Sequence, residues 1–244
     1  MNTKPIKSEK DYLEYARLGQ KLGIPTFEAF LELEVRNQQG ETVLKHKQRS
    51  QSWVRNAYNL LFTEMAAVAG YSGHNLHVVD IGGVTRSQTP DGYMAGAHSI
   101  GHSKMNPGKC AVITISYGYH ASSGDDSFGI MVGSDNTPES FSDYALAAKI
   151  SNGTGAGQFS HAAMVLPTVS DIGLTKKAEW QRYFNNNSGG NVTVNEVGLV
   201  ANGTTADDYS AKFMMARDVL LSTITVPDTG QLRVTYTIQV TYPA

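Results

Sequence analysis

Polar and apolar positions divide the chain into a short helical start, a charged hairpin, one strong helix and a long series of short strands. Near the start, Tyr12, Leu13, Ala16 and Leu18 give an apolar helix face. Ser8 can cap that helix, with Asp11 three residues on, and Gly19, Gly23 and Pro25 stop it. Leu31, Leu33 and Val35 then alternate with Glu32, Glu34 and Arg36, the period of a strand with one wet face. The turn Asn37-Gln-Gln-Gly40 leads into a return strand over 41–49. Its Lys45, Lys47 and Arg49 predict a face that balances the glutamates across the pair, not a phosphate site. From the capping residue Ser52, positions Val54, Ala57, Tyr58, Leu61, Met65 and Val68 recur at helical spacing until Gly70. Trp53, Leu60 and Phe62 widen this surface, so the helix is expected to be buried on more than one side.

Beyond Gly70 the pattern becomes strand and turn. Short β-rich runs fall at 76–81, 111–117, 128–132, 158–166, 180–184, 192–201, 212–217 and 224–226. The turn Pro227-Asp-Thr-Gly230 precedes the cleanest strand, in which Leu232, Val234, Tyr236, Ile238 and Val240 alternate with polar residues. Such a series predicts a mainly β fold: a β-sandwich of jelly-roll type with one long α-helix and an N-terminal helical arm. The alternation excludes a doubly wound parallel sheet, whose strands read as continuous apolar runs. The expected organisation is an arm over 1–26 and a single domain over 27–244, which includes the hairpin (27–49) and the helix (52–69). The stretch 82–110 is rich in Gly, Ser and His without periodicity, which marks a functional loop or one ordered by a partner.

Composition sharpens the division. Residues 1–64 hold 18 charged residues and 3 glycines, whereas 65–244 hold 24 charged residues and 21 glycines, as a turn-rich β body requires. The net charge of −2 excludes a domain built for nucleic acid. The lone Cys110 excludes a disulfide framework and a cysteine-built zinc site, and it suits assembly in a reducing cytoplasm. No apolar run approaches the roughly 18 residues of a membrane helix, and the polar stretch 1–10 does not read as a secretory signal.

The search for chemistry comes back empty. Neither common phosphate-binding glycine loop, nor a G-x-S-x-G elbow, nor an H-E-x-x-H pair occurs. Asp125-Asp126 and Asp207-Asp208 sit in turn-like surroundings and read as turn formers. His74, His77, His98, His102, His120 and His161 cluster in sequence but lack ligand spacing, and they read as loop and surface residues. The four Asn-x-Ser/Thr triplets, at Asn152, Asn186, Asn191 and Asn202, read as chance matches in turns. The expectation is therefore a protein without enzyme activity, metal or cofactor.

Several blocks carry a resemblance. Asp135-Asn-Thr-Pro-Glu-Ser-Phe-Ser-Asp-Tyr-Ala-Leu-Ala-Ala-Lys-Ile150 contains Asp143, Tyr144 and Leu146 in a D-Y-x-L pattern, followed by Gly153-Thr-Gly-Ala-Gly157. Tyr183-Phe-Asn-Asn-Asn-Ser-Gly-Gly-Asn-Val-Thr-Val-Asn-Glu-Val-Gly-Leu199 follows, and Ala216-Arg-Asp-Val219, Thr225-Val-Pro227 and Leu232-Arg-Val-Thr-Tyr-Thr-Ile238 close the series. Ser52-Trp-Val-Arg-Asn-Ala-Tyr-Asn59 precedes them. In this order the blocks, roughly half the chain, resemble uncharacterised structural proteins of tailed-bacteriophage virions. The resemblance implies a minor virion component on the head surface, neck or tail, assembled in the host cytoplasm. Its partners would be copies of itself and other virion proteins. It brings no catalytic residues. The contact residues expected for such a role are Tyr12, Leu13 and Leu18 in the arm and Trp53, Tyr58 and Phe62 in the helix, side chains whose ordinary place is the core. Two alternatives stand beside it. One is a tail-fibre module that binds a host-surface glycan through the loops 82–110 and 118–127. The other is a cupin-like metalloenzyme using some of the six histidines.

Overall fold

A computed structural model describes residues 9–66, 76–86, 118–204 and 210–243. The Ser8 cap, the helix end 67–69, the expected strand 111–117 and all of 82–110 beyond Arg86 lie outside the described residues. The described chain is mainly β. Helix α1 (Glu9–Leu22) precedes the hairpin of β1 (Thr26–Arg36) and β2 (Thr42–Arg49), then α2 (Arg55–Ala66). A short pair follows, β3 (Val78–Val79) and β4 (Thr85–Arg86), and then β5 (Gly129–Gly133) and β6 (Ser160–His161). The chain continues through β7 (Val165–Ile172), β8 (Thr175–Asn185), β9 (Val192–Thr204), β10 (Ser210–Val226) and β11 (Gln231–Thr241).

One sheet runs β2-β1-β11-β8, with β6 and β7 sharing the far edge of β8; a second runs β10-β9-β5, and all pairings are antiparallel. The alternation in β1 and β11 fixes their register, Leu33 opposite Val234 and Val35 opposite Leu232, so one face of each strand turns inward. Leu31, Leu33, Val35, Leu232, Val234, Tyr236 and Phe184 from the large sheet share a single buried cluster with Ile130, Val132, Val194, Leu199, Met214 and Ile224 from the small one. The outer face of the large sheet stays wet. There Glu32 and Glu34 stand opposite Lys47 and Lys45, and Arg233 reaches Glu34 at 2.8 Å. The outer face of the small sheet is covered instead. Ala57 of α2 and Val78 of β3 pack with Ala201, Phe213 and Met215 in a second buried cluster.

Two expectations change here. The strong helix begins at Arg55, not at Ser52, because the residues before it pair with β10. Trp53 bridges Ala216, the Val54 amide donates to the Met215 carbonyl at 3.1 Å, and the Arg217 amide donates to the Ser52 carbonyl at 3.1 Å. Over the described residues α1 has 14 residues and α2 has 12. The expected burial of α2 on more than one side also changes, since Tyr58, Leu61 and Phe62 are exposed.

The irregular segments are held from inside by arginine. Arg182 on β8 is fully buried, and among the described residues no carboxylate accepts from it. Its guanidinium donates to the carbonyls of Ala162 (2.9 Å), Phe128 (3.1 Å), Ile130 (3.0 Å), Ser122 (3.4 Å) and Asp125. These carbonyls belong to loops and a strand end, where no ladder partner exists, and a guanidinium is the one side chain with enough donors for them. Burial lowers its pKa to about 10, so it remains charged at neutral pH. Gly129 lies in this region at φ 84; a side chain there would press on the Tyr119 carbonyl and Met164, both 3.0 Å from a Cβ.

Replacing Arg182 with Met leaves those carbonyls buried without donors. The expected loss is about 4 kcal/mol of unfolding free energy, read as a drop in the urea midpoint at unchanged m-value. A loss below about 1 kcal/mol would show that water or backbone shifts satisfy the carbonyls instead.

Candidate functional site

The clearest concave feature is a cleft where α1, the start of β1, the 50–54 connector and α2 meet. One lobe, about 840 Å³, is lined by Asp11, Tyr12, Tyr15, Phe27, Trp53, Tyr58 and Leu61 among others. An adjoining lobe of about 600 Å³ shares Tyr12, Arg49, Gln51, Trp53 and Tyr58 and reaches Glu139, Phe141 and Asp218.

Each wall has a local cause. Gly19 is the buried residue of α1; a Cβ there would stand 2.6 Å from Thr26 and 2.9 Å from the Ile24 carbonyl, so glycine lets the helix lie against its own sheet. Arg49, at the end of β2, clamps the other end of α1. It donates to both Glu9 oxygens at 2.7 and 2.8 Å and to Glu28 at 2.5 Å, and it stacks over Tyr12 (4.5 Å) and Phe30 (4.8 Å). That contact holds the Glu9 carboxyl below its ordinary pKa and raises the Arg49 guanidinium further. Phe27 meets Trp53 edge-on at 5.1 Å, and Tyr58 meets Phe141 at 5.6 Å.

The floor is polar. Asp218 on β10 accepts from the Ser50 hydroxyl at 2.8 Å and from the Gln51 amide at 2.9 Å, and Ser50 also meets the Tyr236 hydroxyl at 2.5 Å. Burial pushes the Asp218 carboxyl up to about 7 against these hydrogen bonds and raises Tyr236 as well. Among the described residues no cation pairs with Asp218, so the group ties the connector to β10 at a cost once it ionises. Among the described residues no histidine lines either lobe.

Of the six residues expected to make contacts, Tyr12, Trp53 and Tyr58 line this cleft, while Leu13, Leu18 and Phe62 lie on its flanking helices. Leu13, Leu18, Tyr58 and Phe62 are 62%, 40%, 44% and 54% exposed, which corrects the expectation of core packing for these four. Sequence reasoning missed Phe27, Arg49 and Asp218, whose roles arise only from contacts between distant segments.

Among the described residues the histidines do not form a centre. His74, His98 and His102 lie outside the described residues, as do Asp207 and Asp208, and no group of three or more metal-capable side chains occurs among those described. His161 is buried edge-on against Phe184 at 4.9 Å, with neither ring nitrogen in a well-formed hydrogen bond, and burial with the Arg182 charge lowers its pKa to about 4. Asp125 accepts from Ser127, and Asp126 accepts from Lys149 at 2.9 Å and the Asn152 amide at 2.8 Å, so both shape loops. Among the described residues no helix is long and apolar enough to cross a membrane.

Searches of protein-family models, curated proteins and solved structures find no match to this chain.

Two buried groups give opposite pH slopes. Asp218 keeps its proton in the folded state up to about pH 7, whereas the unfolded chain loses it near 3.8. Stability from this group falls as pH rises from about 4 to 7, by up to roughly 4 kcal/mol. Asp218→Asn is expected to remove that slope and to be more stable than wild type at pH 8 in denaturant titrations. An unchanged slope would mean that the carboxyl is ionised and solvated. His161 acts the other way: folded protein resists protonation until about pH 4, so stability falls as pH drops from 6.5 to 4. His161→Phe is expected to flatten that acid limb by roughly 3 kcal/mol, measured in the same titrations.

Proposed function

We propose that this chain is a structural component of a tailed-phage virion that acts by protein–protein assembly on the head surface, neck or tail, without catalysis. The observation that carries this reading is the apolar surface beside the cleft: Tyr15, Leu18 and Leu22 on α1 and Tyr58, Leu61 and Phe62 on α2 are each 40–66% exposed. An exposed apolar surface of this size on two helices marks an interaction site. The blocks that carry the resemblance pack together. Asp143, Glu196 and Arg217 come from three of them and meet in one buried cluster, with Arg217 donating to Glu196 at 2.7 Å and to Asp143 at 2.8 Å. Partners in this reading are copies of the chain and other virion proteins, with no metal or cofactor. The finer architecture that belongs with it is a jelly-roll-type sandwich with one long helix. The aromatic lining of Tyr12, Tyr15, Trp53 and Tyr58 favours a second role, stacking a host-surface glycan in the cleft of a tail-fibre module.

The test is mass spectrometry of gradient-purified particles of the encoding phage, with metal content and solution mass read on the purified protein. The expected result is a fixed copy number per particle and no bound metal. Absence from the particle, or one tightly held metal per chain, overturns the reading. Glycan binding that Trp53→Ala abolishes, with assembly intact, would favour the tail-fibre role.

A further inference from the structure

We infer that α1 is a homodimerisation helix: it pairs with α1 of a second copy in antiparallel fashion along the open side of the cleft. This inference names the partner for the assembly reading above and rests on it.

A helix of 14 residues is marginal alone and depends on burying an apolar face. Against its own domain α1 buries Gly19, while Tyr15, Leu18 and Leu22 stay 50%, 40% and 66% exposed. These three stand at i, i+3 and i+7, the seam of a short coiled coil, on the side of the helix from which Tyr15 lines the cleft.

The charges name the occupant. With Tyr15 and Leu22 as a positions and Leu18 as d, Glu14 and Lys21 fall at g positions. In an antiparallel pair the g side of one helix faces the g side of the other. Glu14 of each copy then meets Lys21 of its mate, giving two ion pairs about a two-fold axis between Arg17 and Leu18. A parallel pair would set these charges against e positions, where Tyr12 and Gly19 stand, and would gain neither.

The area is adequate when α2 joins. Tyr58 and Leu61 line the same lobe of the cleft as Tyr15, and Phe62 lies one turn from Tyr58. Six half-exposed large side chains supply on the order of 500 Å² of apolar surface per copy, the larger part of the roughly 800 Å² per partner in a stable interface. The contact is isologous, so it closes at two copies.

The test is sedimentation equilibrium of the full chain, with charge-swap variants. The expected wild-type mass is twice 26.4 kDa. Glu14→Lys and Lys21→Glu should each weaken the dimer about tenfold, and the double variant should return it to within about threefold of wild type. A Leu18→Cys change in a Cys110→Ser background should form an intermolecular disulfide under mild oxidation. A monomer at all concentrations, a dimer indifferent to the single swaps, or a double variant that fails to recover overturns the inference. So does a monomer that associates only with another virion protein, because that places a different partner on α1. Detection in particles is independent of all these outcomes, so the dimer can fail while the virion reading stands, and the reverse.

Discussion

The structure depends on buried guanidinium groups. Two sheets of unequal size leave long irregular segments to cross their ends, and those segments bring main-chain carbonyls into the core. Arg182 collects five of them from residues 122–130 and 162. Arg217 does the same for the segment above the small sheet. It donates to the Thr137 and Pro138 carbonyls while paired with Glu196 and Asp143, and Glu196 in turn accepts from the Ala147 and Ala148 amides. A hydrophobic side chain at either position would fill the volume and leave those polar groups unmet, which costs more than the packing returns. The loops are therefore fixed parts of the fold.

The same logic sets the cleft. β10 is long, 17 residues, but its pairing with β9 shifts twice, between Met214 and Ala216 and between Val219 and Ile224. The first irregularity takes the backbone of 52–54 and so starts α2. At the second, Gln48 of β2 donates to the Val219 carbonyl and accepts from the Leu221 amide, joining the two sheets. Asp218 lies between these irregularities and anchors Ser50 and Gln51. Position and depth of the cleft follow from a strand that departs from its ladder at defined places.

The sequence made legible whatever was settled locally. β1, β2 and β11 show their alternation plainly, and the pairing of Glu32 and Glu34 with Lys47 and Lys45 was visible in the charges alone. The strand β10 read as two pieces, because Arg217-Asp218 resembles a polar break, whereas both are buried with partners from elsewhere. The run 165–172 was read as a strand only at its start, since Pro167 and Asp171 interrupt the pattern; on an edge strand beside β8 both are tolerated. In the cleft, aromatic residues at helical spacing drew attention to Tyr12, Trp53 and Tyr58. Asp218 gave no such signal, because its partners lie far away in the chain.

The arm α1 leaves Tyr15, Leu18 and Leu22 exposed. Its contacts include a glycine approach, the Arg49–Glu9 pair, the Arg49 guanidinium over Tyr12 and a hydrogen bond from Gln20 to the Tyr242 carbonyl. Glu9 faces solvent, so that pair is screened and adds little. Ordering 14 residues carries an entropic cost that a single buried glycine does not offset. In the dimer proposed above, the cover over Tyr15, Leu18 and Leu22 would add to the free energy that keeps α1 helical, and order in the arm would be coupled to occupancy of its apolar side.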